Sequence, residues 1–491
     1  MPSCATYDSP SVPLPPTSSA EASRQTSLLL RWGIVFACAF LVLMFPRPQG
    51  VEPAGWRLLA IFVGTVTGML LQPLPIGAMA LLGVTLAILT RCVGVPQALA
   101  AYGTPVMWII AAAFLLARAV VETGLGRRVA LLFVRWFGSS SLRLGYALAG
   151  ADVLVAPVIP SDTARVGGVI FPVTRSLAES YDSFPGPSAR RLGAYLMQCA
   201  YHVGCTSSAL FLTSMAANLV AAEFALKYAN VKITWLNWIA ASCVPAAVSI
   251  GLLPWLIYRL DPPELRHTPE AQLLAGDHLH EMGPPSRREK WLLVILAGMI
   301  AGWAAQPWHG FHAVVVAFAG LCAIVTARVM RWDELLAEHR AWDALIWLGG
   351  LMMMADGLNS LGVIKAFTGV LSAHLAGWTG IAALVLLIIA YTYIHYTFAS
   401  MTAQITALYP AFLMLAVGAG APPLVSALAL AFFSCLNASL THYGTAPGPI
   451  FFGAGYVSQT TWWRVGFFVT AANLFIWLAV GLPWWHVLGF W

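Results

Sequence analysis

The sequence predicts an all-α integral membrane protein, with about 11 transmembrane helices and two re-entrant hairpins arranged in two inverted repeats. Charged residues make up only 9% of the 491 residues and hydrophobic residues 59%, whereas a soluble domain carries about 25% charged residues. Apolar stretches long enough to cross about 30 Å of hydrocarbon recur along the chain. Motifs of the first half also return in the second half at a constant offset. These three observations support the predicted fold class.

The composition argues against several classes of protein. With a mean hydropathy of +0.77, the chain has too few polar residues to give a core of this size a water-facing surface. Soluble enzymes, nucleic-acid-binding proteins and disordered proteins are therefore not expected. The net charge of +6 arises from short cationic groups between apolar runs, as in the cytoplasmic loops of membrane proteins, so we expect no nucleic-acid partner. None of the eight Cys residues belongs to a CxxC pair, and we expect no disulfide framework, metal site or cofactor.

The predicted spans follow an N-terminal tail. Residues 1–27 are rich in Ser, Pro and Thr and are predicted to be disordered. Length and hydropathy then predict spans at 28–45, 56–71, 76–90, 105–121, 190–222, 236–258, 291–306, 311–328, 341–357, 422–455 and 465–482.

Two further apolar regions, 143–178 and 380–415, are interrupted near their centres by polar residues. Each is predicted to form two helices that meet at a tip, the first tip at 160–165 and the second tip at 399–404. Irregular backbone is tolerated at membrane depth only where protein or a water-filled cavity satisfies its hydrogen bonds. The two tips are therefore candidate binding sites.

The distribution of Lys and Arg predicts the orientation. With the N-terminus in the cytoplasm and each hairpin returning to its side of entry, about three times as many Lys and Arg residues lie inside as outside. The polar connection 259–290 also falls inside. It divides the chain into a first half, 28–258, and a second half, 291–491.

Equivalent residues in the two halves predict an internal repeat. Four residues recur 239 positions later in the chain: Trp108, Ser161, Thr163 and Ala164 match Trp347, Ser400, Thr402 and Ala403. A broken helix is predicted after each tip, at 203–218 and 441–450. An odd number of spans between equivalent points makes the repeats inverted, which places a binding site at their interface. Chance matches in an apolar sequence are the alternative.

The tips contain residue types that bind an anion reversibly. A helix that begins at mid-membrane directs free N–H groups and the positive end of its dipole inward, and Ser and Thr hydroxyls add neutral donors. This combination suits binding and releasing a carboxylate. The alternative is that the hydroxyls only cap helices in a membrane bundle. HExxH, GxSxG and P-loop motifs are absent, so we do not expect an enzyme.

Long motifs carry a family resemblance. They are PSDTARVGGVIFP at 160–172, FLTSMAAN at 211–218, WLGGLMMMADGLNSLG at 347–362, HYTFASMTAQITALYP at 395–410 and LTHYGTAPGPIFFGAGYV at 440–457. In the last motif, Gly and two Pro residues predict a loop within the span. Together the motifs resemble the divalent anion/sodium symporter superfamily, in particular its branch of 2-oxoglutarate/malate translocators and citrate/succinate or tartrate/succinate antiporters.

The resemblance implies an elevator-type transporter that is usually a homodimer, with a scaffold domain and a mobile transport domain. It implies substrate contacts from the two tips and the second broken helix: Ser161, Asp162, Thr163, Ser400, Met401, Thr402, Thr445, Ala446 and Pro447. Cation-coupled relatives have Asn at the centre of both tips. Because this chain has Asp162 and Met401 there, the resemblance predicts transport without sodium.

Asp162 departs from the branch, because an ionised carboxylate accepts hydrogen bonds only and repels a dianion. Arg165, one helical turn further, is the favoured neutralising partner. Cation binding and protonation of Asp162 are the alternatives.

Three intramembrane histidines are candidate contacts for a carboxylate: His202, His395 and His442. His442 is favoured because it lies within the second broken helix, and the alternative is a structural donor between helices. Arg165, Thr213, Asn218 and His395 are expected to support the site.

The expected function is exchange of C4–C6 di- or tricarboxylates, such as 2-oxoglutarate, malate, succinate, tartrate or citrate, in a bacterial inner membrane. Sodium- or proton-coupled symport within the same superfamily is the alternative. A channel and an intramembrane enzyme are less consistent with paired hairpins and with the lack of a catalytic pair.

Overall fold

The computed structural model describes residues 18–374 and 377–491, with side chains from residue 27 onward except those of residues 371–374. The described part is helical and contains no named strand, only an isolated bridge between Ser140 and His267. This agrees with the predicted all-α class.

The α-helices of the first half are α1 (Ser18–Met44), α2 (Pro53–Leu71), α3 (Ile76–Leu89), α4 (Val95–Ala100), α5 (Pro105–Thr123), α6 (Leu125–Phe137), α7 (Ser141–Val155), α8 (Phe171–Ser180), α9 (Gly193–Leu210), α10 (Ala216–Ala229) and α11 (Trp235–Leu260). The linker contains α12 (Glu270–Glu281). Those of the second half are α13 (Arg287–Ala304), α14 (Gln306–His309), α15 (Ala313–Thr326), α16 (Trp332–Leu336), α17 (His339–Ser360), α18 (Val363–His374), α19 (Gly380–Ile394), α20 (Met401–Gly418), α21 (Pro423–Leu436), α22 (Pro447–Gly453), α23 (Gln459–Ile476) and α24 (Leu482–Val487).

Nine helices of the described part are long and apolar enough to cross a membrane, and ten if the bent pair α17 and α18 counts as one more span. Two shorter apolar helices, α3 and α15, coincide with further predicted spans. Every predicted span contains helix. The nine also include α7, α19 and α20, which the sequence assigns to the hairpins, so length and hydropathy alone do not separate hairpin arms from full spans.

The N-terminal boundary differs from the prediction. α1 begins at Ser18, ten residues before the predicted first span. Residues 18–27 include Ala, Glu, Arg and Gln, which favour helix. Residues 1–17 of the predicted disordered tail lie outside the described residues.

Both predicted hairpins form two helical arms joined at the tip. In the first, α7 and a 3₁₀ turn precede the first tip, and a π-helix at Thr163–Ile170 leads into α8. In the second, α19 and a 3₁₀ turn precede the second tip, and α20 begins within the tip, at Met401. A π-helix inside a helical arm is rare and is often found at functional sites.

Both predicted broken helices are interrupted. The first break lies between α9 and α10, at 211–215, and the second between α21 and α22, at 437–446. The loop expected through 450 ends earlier, because Pro447 occupies the first turn of α22. Proline is tolerated there since it lacks only an N–H that has no helical partner.

The broken helices lie at the centre of the packing. α9 packs against α7, α11 and α21, and α10 packs against α20 and α21. α17 packs mainly against α2, α3 and α5. α9 is buried along its whole length, so its polar side chains must find partners inside the protein.

The linker folds back onto the first half. α12 packs on α6, and the backbone of Thr268 donates to Ser139 at 3.2 Å. Arg128 of α6 also pairs with Glu289 at the start of α13, with 2.6 Å between Nε and Oε1. The linker therefore packs against α6 and the start of α7, on the side of the molecule where the first hairpin begins.

Candidate functional site

The first tip supplies acceptors to the N–H groups of its own helix. Ser161 Oγ accepts from the N–H of Ala164 at 3.3 Å, and a carboxylate oxygen of Asp162 accepts from the N–H of Thr163 at 2.9 Å. Ser161 and Asp162 are buried, whereas Thr163 is partly exposed. Two of the N–H groups that could bind an anionic ligand at the helix start are thus engaged by side chains of the tip itself.

Arg165 of the first tip is fully buried and pairs with Asp152 of α7, with 3.5 Å between Nη1 and Oδ2. It also donates to Ser207 Oγ at 3.0 Å and to Ser208 Oγ at 2.7 Å, both on α9. Ser207 in turn donates to Asp152. The guanidinium therefore ties the tip helix to α7 and α9, and a buried charge of this kind is stable only with such partners.

The favoured prediction of an Arg165–Asp162 pair is wrong. Asp162 instead accepts a hydrogen bond from the hydroxyl of Thr445 in the second break. Arg165 is bonded to α7 and α9, whereas the hydroxyl that donates to Asp162 lies in the other half of the chain. This contact joins two predicted substrate contacts, Asp162 and Thr445, across 283 positions of sequence.

The second tip repeats the cap of the first. Ser400 Oγ accepts from the N–H of Ala403 at 3.3 Å, and the carbonyl of Ser400 accepts from the N–H of Gln404 at 3.1 Å. Ser400 is partly exposed, whereas Met401 and Thr402 are buried. No hydrogen bond of the described part joins the side chains of these three predicted contacts to the first tip.

Gln404 anchors the second tip as Arg165 anchors the first. Its Nε2 donates to the carbonyl of Tyr391 at 2.7 Å, and its Oε1 accepts from Asn437 Nδ2 at 2.8 Å. His395, which is also fully buried, places Nδ1 2.7 Å from the same Oε1. The tip helix is thereby connected to α19 and to the second break.

The two networks use equivalent positions. Residues related by the offset of 239 have the same roles. Ser161 and Ser400 cap the tip helices. Arg165 and Gln404 connect each tip helix to the preceding arm of its hairpin, through Asp152 and Tyr391 respectively. Arg165 also contacts α9, the helix that precedes the first break, and Gln404 contacts Asn437, the first residue of the second break. These correspondences support the predicted repeat from contacts that the sequence match did not use.

The first break is held by its own polar residues. Thr213 donates to the carbonyl of Pro157 at 2.7 Å, and Asn218 Nδ2 donates to the carbonyls of Ser208 and Phe211 at 2.8 and 3.1 Å. Asn218 thus satisfies backbone carbonyls that lack helical partners at the end of α9, whereas Thr213 joins the first break to the 3₁₀ turn before the first tip. Thr213 and Asn218 therefore occupy supporting positions.

Glycine is required at one position of the second break, Gly444, and at one position of the helix that follows it, Gly448 of α22. A Cβ on Gly444 would lie 2.8 Å from the carbonyl oxygen of Ala438, and one on Gly448 would lie 2.5 Å from the carbonyl oxygen of His442. Between them, Thr445 is buried and Ala446 is exposed. The close approach of backbone to backbone sets the position of the Thr445 hydroxyl against Asp162.

The hydrogen-bond and ring partners of His442 lie outside both tips. Its ring stacks on Phe452 with centroids 4.3 Å apart, and its Nδ1 accepts from Trp463 Nε1 at 3.1 Å. Among the described hydrogen bonds, none connects His442 to a tip residue. His202 is fully buried beside Tyr201, and within the described residues neither of its ring nitrogens has a hydrogen-bond partner.

Adjoining cavities open beside the first tip helix. One, of about 380 Å³, is lined by Ala164, Gly168, Arg118 and residues 337–340. The next, of about 390 Å³, shares Gly168 and is also lined by His278 of α12. The tip helix is therefore accessible from the side of the molecule that carries the linker.

Several residues of these networks were not singled out from the sequence as site residues. Ser207, Ser208 and Asn437 have no motif of their own, because Ser and Asn in an apolar helix are common helix–helix donors. Gln404 carried a usable signal, since it lies at the repeat offset from Arg165. No group of three or more His, Cys, Asp or Glu side chains in the described part could hold a metal ion.

The helical fold, the paired tips and the two broken helices define a multi-pass membrane transporter rather than an enzyme. The chain belongs to the family described as the sodium:sulfate symporter transmembrane region, which matches residues 26–491. The resemblance seen in the sequence motifs is thereby confirmed at the level of the family.

Named relatives match over most of their length. The chain is 40% identical to dicarboxylate transporter 1, chloroplastic, of Arabidopsis thaliana, over 98% of this chain and 87% of that protein. It is 34% identical to the citrate/succinate antiporter of Escherichia coli K12, over 93% and 97% of the two chains. The crystal structure of the Alcanivorax borkumensis YdaH transporter has a similar fold, with a TM-score of 0.54 and 17% identity over 94% of this chain and 97% of that one.

Proposed function

We propose that the protein exchanges C4–C6 di- or tricarboxylates across a membrane, without sodium, by an elevator movement. The observation that carries the proposal is the meeting of both halves at the second break. Asp162 of the first tip contacts Thr445, and His395 of the second hairpin lies 3.0 Å from the carbonyl oxygen of the preceding residue, Gly444. Paired tips around one broken helix suit a small anion that is bound and released.

The substrate class is supported by the relatives' names. One is named a dicarboxylate transporter and another a citrate/succinate antiporter, and both match this chain over most of their length. The antiporter also supports exchange as the mode of transport. The substrate contacts carried over from the resemblance, which include Ser161, Thr163, Ser400 and Thr402, remain part of this proposal.

Symport is the alternative, and the family description, which mentions sodium and sulfate, is the observation that favours it. Independence from sodium is supported by Asp162 and Met401 at the tip centres. Asp162 is engaged by Thr163 and Thr445, and Met401 is a buried thioether that offers sodium only a weak, soft ligand.

The elevator movement is supported by the packing. α9, α10, α20 and α21 form one group with the tips, whereas α17 packs with α2, α3 and α5. We assign the first group to the moving body and the second to the scaffold. The proposal includes a homodimer in a bacterial inner membrane with a cytoplasmic N-terminus, and the cavities on the linker side would then open to the cytoplasm.

Counterflow in proteoliposomes tests this function. We expect labelled malate or succinate to enter only when unlabelled dicarboxylate is present inside, and we expect the rate to be unchanged when choline replaces sodium on both sides. Protein-free liposomes are the control. Uptake that needs a sodium or proton gradient but no internal substrate would establish symport instead.

A further inference from the structure

Both ring nitrogens of His395 face hydrogen-bond acceptors. Nδ1 lies 2.7 Å from Oε1 of Gln404, and Nε2 lies 3.0 Å from the carbonyl oxygen of Gly444. The side chain has 0% exposure, so bulk water does not relieve either contact. A neutral imidazole has one N–H donor and one acceptor nitrogen. In the neutral form, one nitrogen lone pair would therefore face an oxygen lone pair.

Turning the amide of Gln404 does not remove this conflict. As placed, Gln404 Nε2 donates to the carbonyl of Tyr391 at 2.7 Å, and Oε1 accepts from Asn437 Nδ2 at 2.8 Å. Exchanging the amide oxygen and nitrogen would give His395 a donor but would set an oxygen against the Tyr391 carbonyl. Only a doubly protonated ring satisfies all of these contacts.

Another histidine shows the neutral arrangement for comparison. His309 Nε2 lies 2.8 Å from the carbonyl oxygen of Gly302, while its Nδ1 accepts from the N–H of Phe311 at 2.9 Å. One donor and one acceptor satisfy that ring without an added proton. His395 differs because neither of its two contacts can donate.

The ionisable groups around His395 include one carboxyl group. The elements packed against it are α20 and the second break, and α21 leads into that break. Ionisable side chains on these elements, or joined to them by a contact or an electrostatic interaction, are Tyr201, Cys205, Tyr391, Tyr393, Tyr396, Tyr409, Cys435, His442, Tyr443, Asp162 and Arg165. The charge of Arg165 is paired with Asp152. Asp162 reaches this region through Thr445, the residue that follows Gly444.

We propose that His395 is held as an imidazolium and acts as a positioning residue for the proposed substrate site. Its two N–H groups fix the Gly444 carbonyl and Gln404, which places Thr445, and its charge offsets Asp162 so that a dianion is attracted. The role in binding rests on the proposed function, whereas the protonation itself does not.

Nitrogen NMR of the purified full-length protein with ¹⁵N-labelled histidine tests the protonation directly. We expect one buried ring with both nitrogens protonated at neutral pH, and its signals should disappear in His395→Gln. If that variant does not fold, Gly444→Ala provides the assignment, because the added Cβ would lie 2.8 Å from His395 Nε2. His309→Gln is the matched control and should remove the signals of a neutral ring. A wild-type spectrum without a protonated buried ring overturns the proposal.

The pH profile of counterflow tests the role in binding. Exchange should fall as the pH rises, approaching about tenfold per pH unit once His395 loses its proton. His395→Gln should flatten this fall, whereas His309→Gln should retain it. Because substrate ionisation is the same for all variants, the difference between their profiles isolates the histidine. A pH-independent exchange with a protonated His395 overturns the role in binding, whereas a protein that transports no carboxylate but retains the protonated ring contradicts only the proposed function.

Discussion

At the scale of single residues, Asp162 meets two hydrogen-bond donors and no direct cationic partner among the described residues. Its carboxylate accepts from the Thr163 N–H and from the Thr445 hydroxyl, so it fixes the second break against the first tip. Arg165, which could have neutralised it, is occupied by Asp152. Asp162 is thus held by hydrogen bonds rather than by a direct ion pair.

Asp162→Asn should preserve this geometry and remove the repulsion. The amide oxygen can accept from Thr163, and the amide nitrogen can donate to Thr445 Oγ1. We expect exchange to persist, with an apparent KM for dicarboxylate lower by up to about tenfold, or 1.4 kcal/mol. Initial rates of counterflow measure this effect. An inactive variant that is still folded would show that Asp162 carries a cation or a proton.

Asp152→Asn is the matched control, because it makes the same substitution at the carboxyl group that pairs with Arg165. It leaves the buried guanidinium of Arg165 unpaired, and breaking such a pair costs about 3–5 kcal/mol. We expect a marked loss of thermal stability in detergent, in contrast to Asp162→Asn. Equal stability of the two variants would contradict the assigned partners.

Hydroxyl removal should separate binding from capping. Ser161→Ala and Ser400→Ala remove a cap from the tip helix, worth about 1 kcal/mol of stability, whereas in the described part no hydrogen bond uses the Thr163 or Thr402 hydroxyl. We expect all four alanine variants, including Thr163→Ala and Thr402→Ala, to weaken substrate affinity by roughly 10- to 150-fold, the cost of a hydrogen bond to a charged ligand. Only the two serine variants should also unfold at lower temperature.

Counterflow and thermal unfolding together measure these effects. Thr326→Ala, which removes an exposed hydroxyl that donates to the carbonyl of Cys322 at 2.7 Å, is the control and should change neither. Normal affinity in all four tip variants would place the binding site elsewhere.

At the scale of structural elements, the second break depends on how closely α22 approaches the loop before it. α22 starts at Pro447, and Gly448 in its first turn faces the carbonyl of His442. This contact holds the loop that carries Gly444 and Thr445. The position of one short helix therefore controls both the Asp162 and the His395 contacts.

Gly448→Ala should disrupt this element. The added Cβ would lie 2.5 Å from a backbone oxygen, and such overpacking costs about 1–3 kcal/mol. We expect exchange to fall at least about tenfold, because the loop must shift and Thr445 with it. Gly453→Ala in the same helix is the matched control, since its Cβ would meet nothing within 4 Å. Unimpaired exchange by Gly448→Ala would contradict the proposed role of the loop.

At the scale of the whole molecule, an ion pair connects the two proposed bodies. Lys227 of α10 lies 2.5 Å from Asp356 of α17, measured between Nζ and Oδ1, and Tyr228 donates to the same carboxylate oxygen at 3.1 Å. Both ionic side chains are partly exposed, so the pair contributes only about 0–1 kcal/mol. A contact of this strength is weak enough to break and form again during the proposed elevator movement.

Fixing this contact covalently should stop exchange if α10 moves against α17. We expect Lys227→Cys with Asp356→Cys, joined by a short thiol-reactive linker, to lose counterflow and to regain it when the linker is cleaved. Arg175→Cys with Glu179→Cys is the control, because that pair lies within α8 and its Nε and Oε1 are 2.7 Å apart. Full exchange by the linked Lys227–Asp356 pair would contradict an elevator movement between these helices.

The sequence by itself determined the helical membrane class, the two hairpins, the two breaks and the family. Hydropathy, Gly and Pro placement and helix caps are local properties, and the caps of Ser161 and Ser400 involve residues only three positions away. The repeat offset is likewise a property of the sequence alone and does not depend on any contact.

Only the tertiary structure decided the partners of the charged and ionisable groups. Thr445 reaches Asp162 across 283 positions, and Gly444 reaches His395 across 49. Arg165 pairs with Asp152 because its side chain lies between α7 and α9. Spacing along a helix limits which neighbours a side chain can reach on its own helix, but the packing of helices distant in sequence determines which of the remaining groups it meets. Burial makes these partners necessary, because a polar group without a partner inside the protein cannot bond to water and its burial costs free energy.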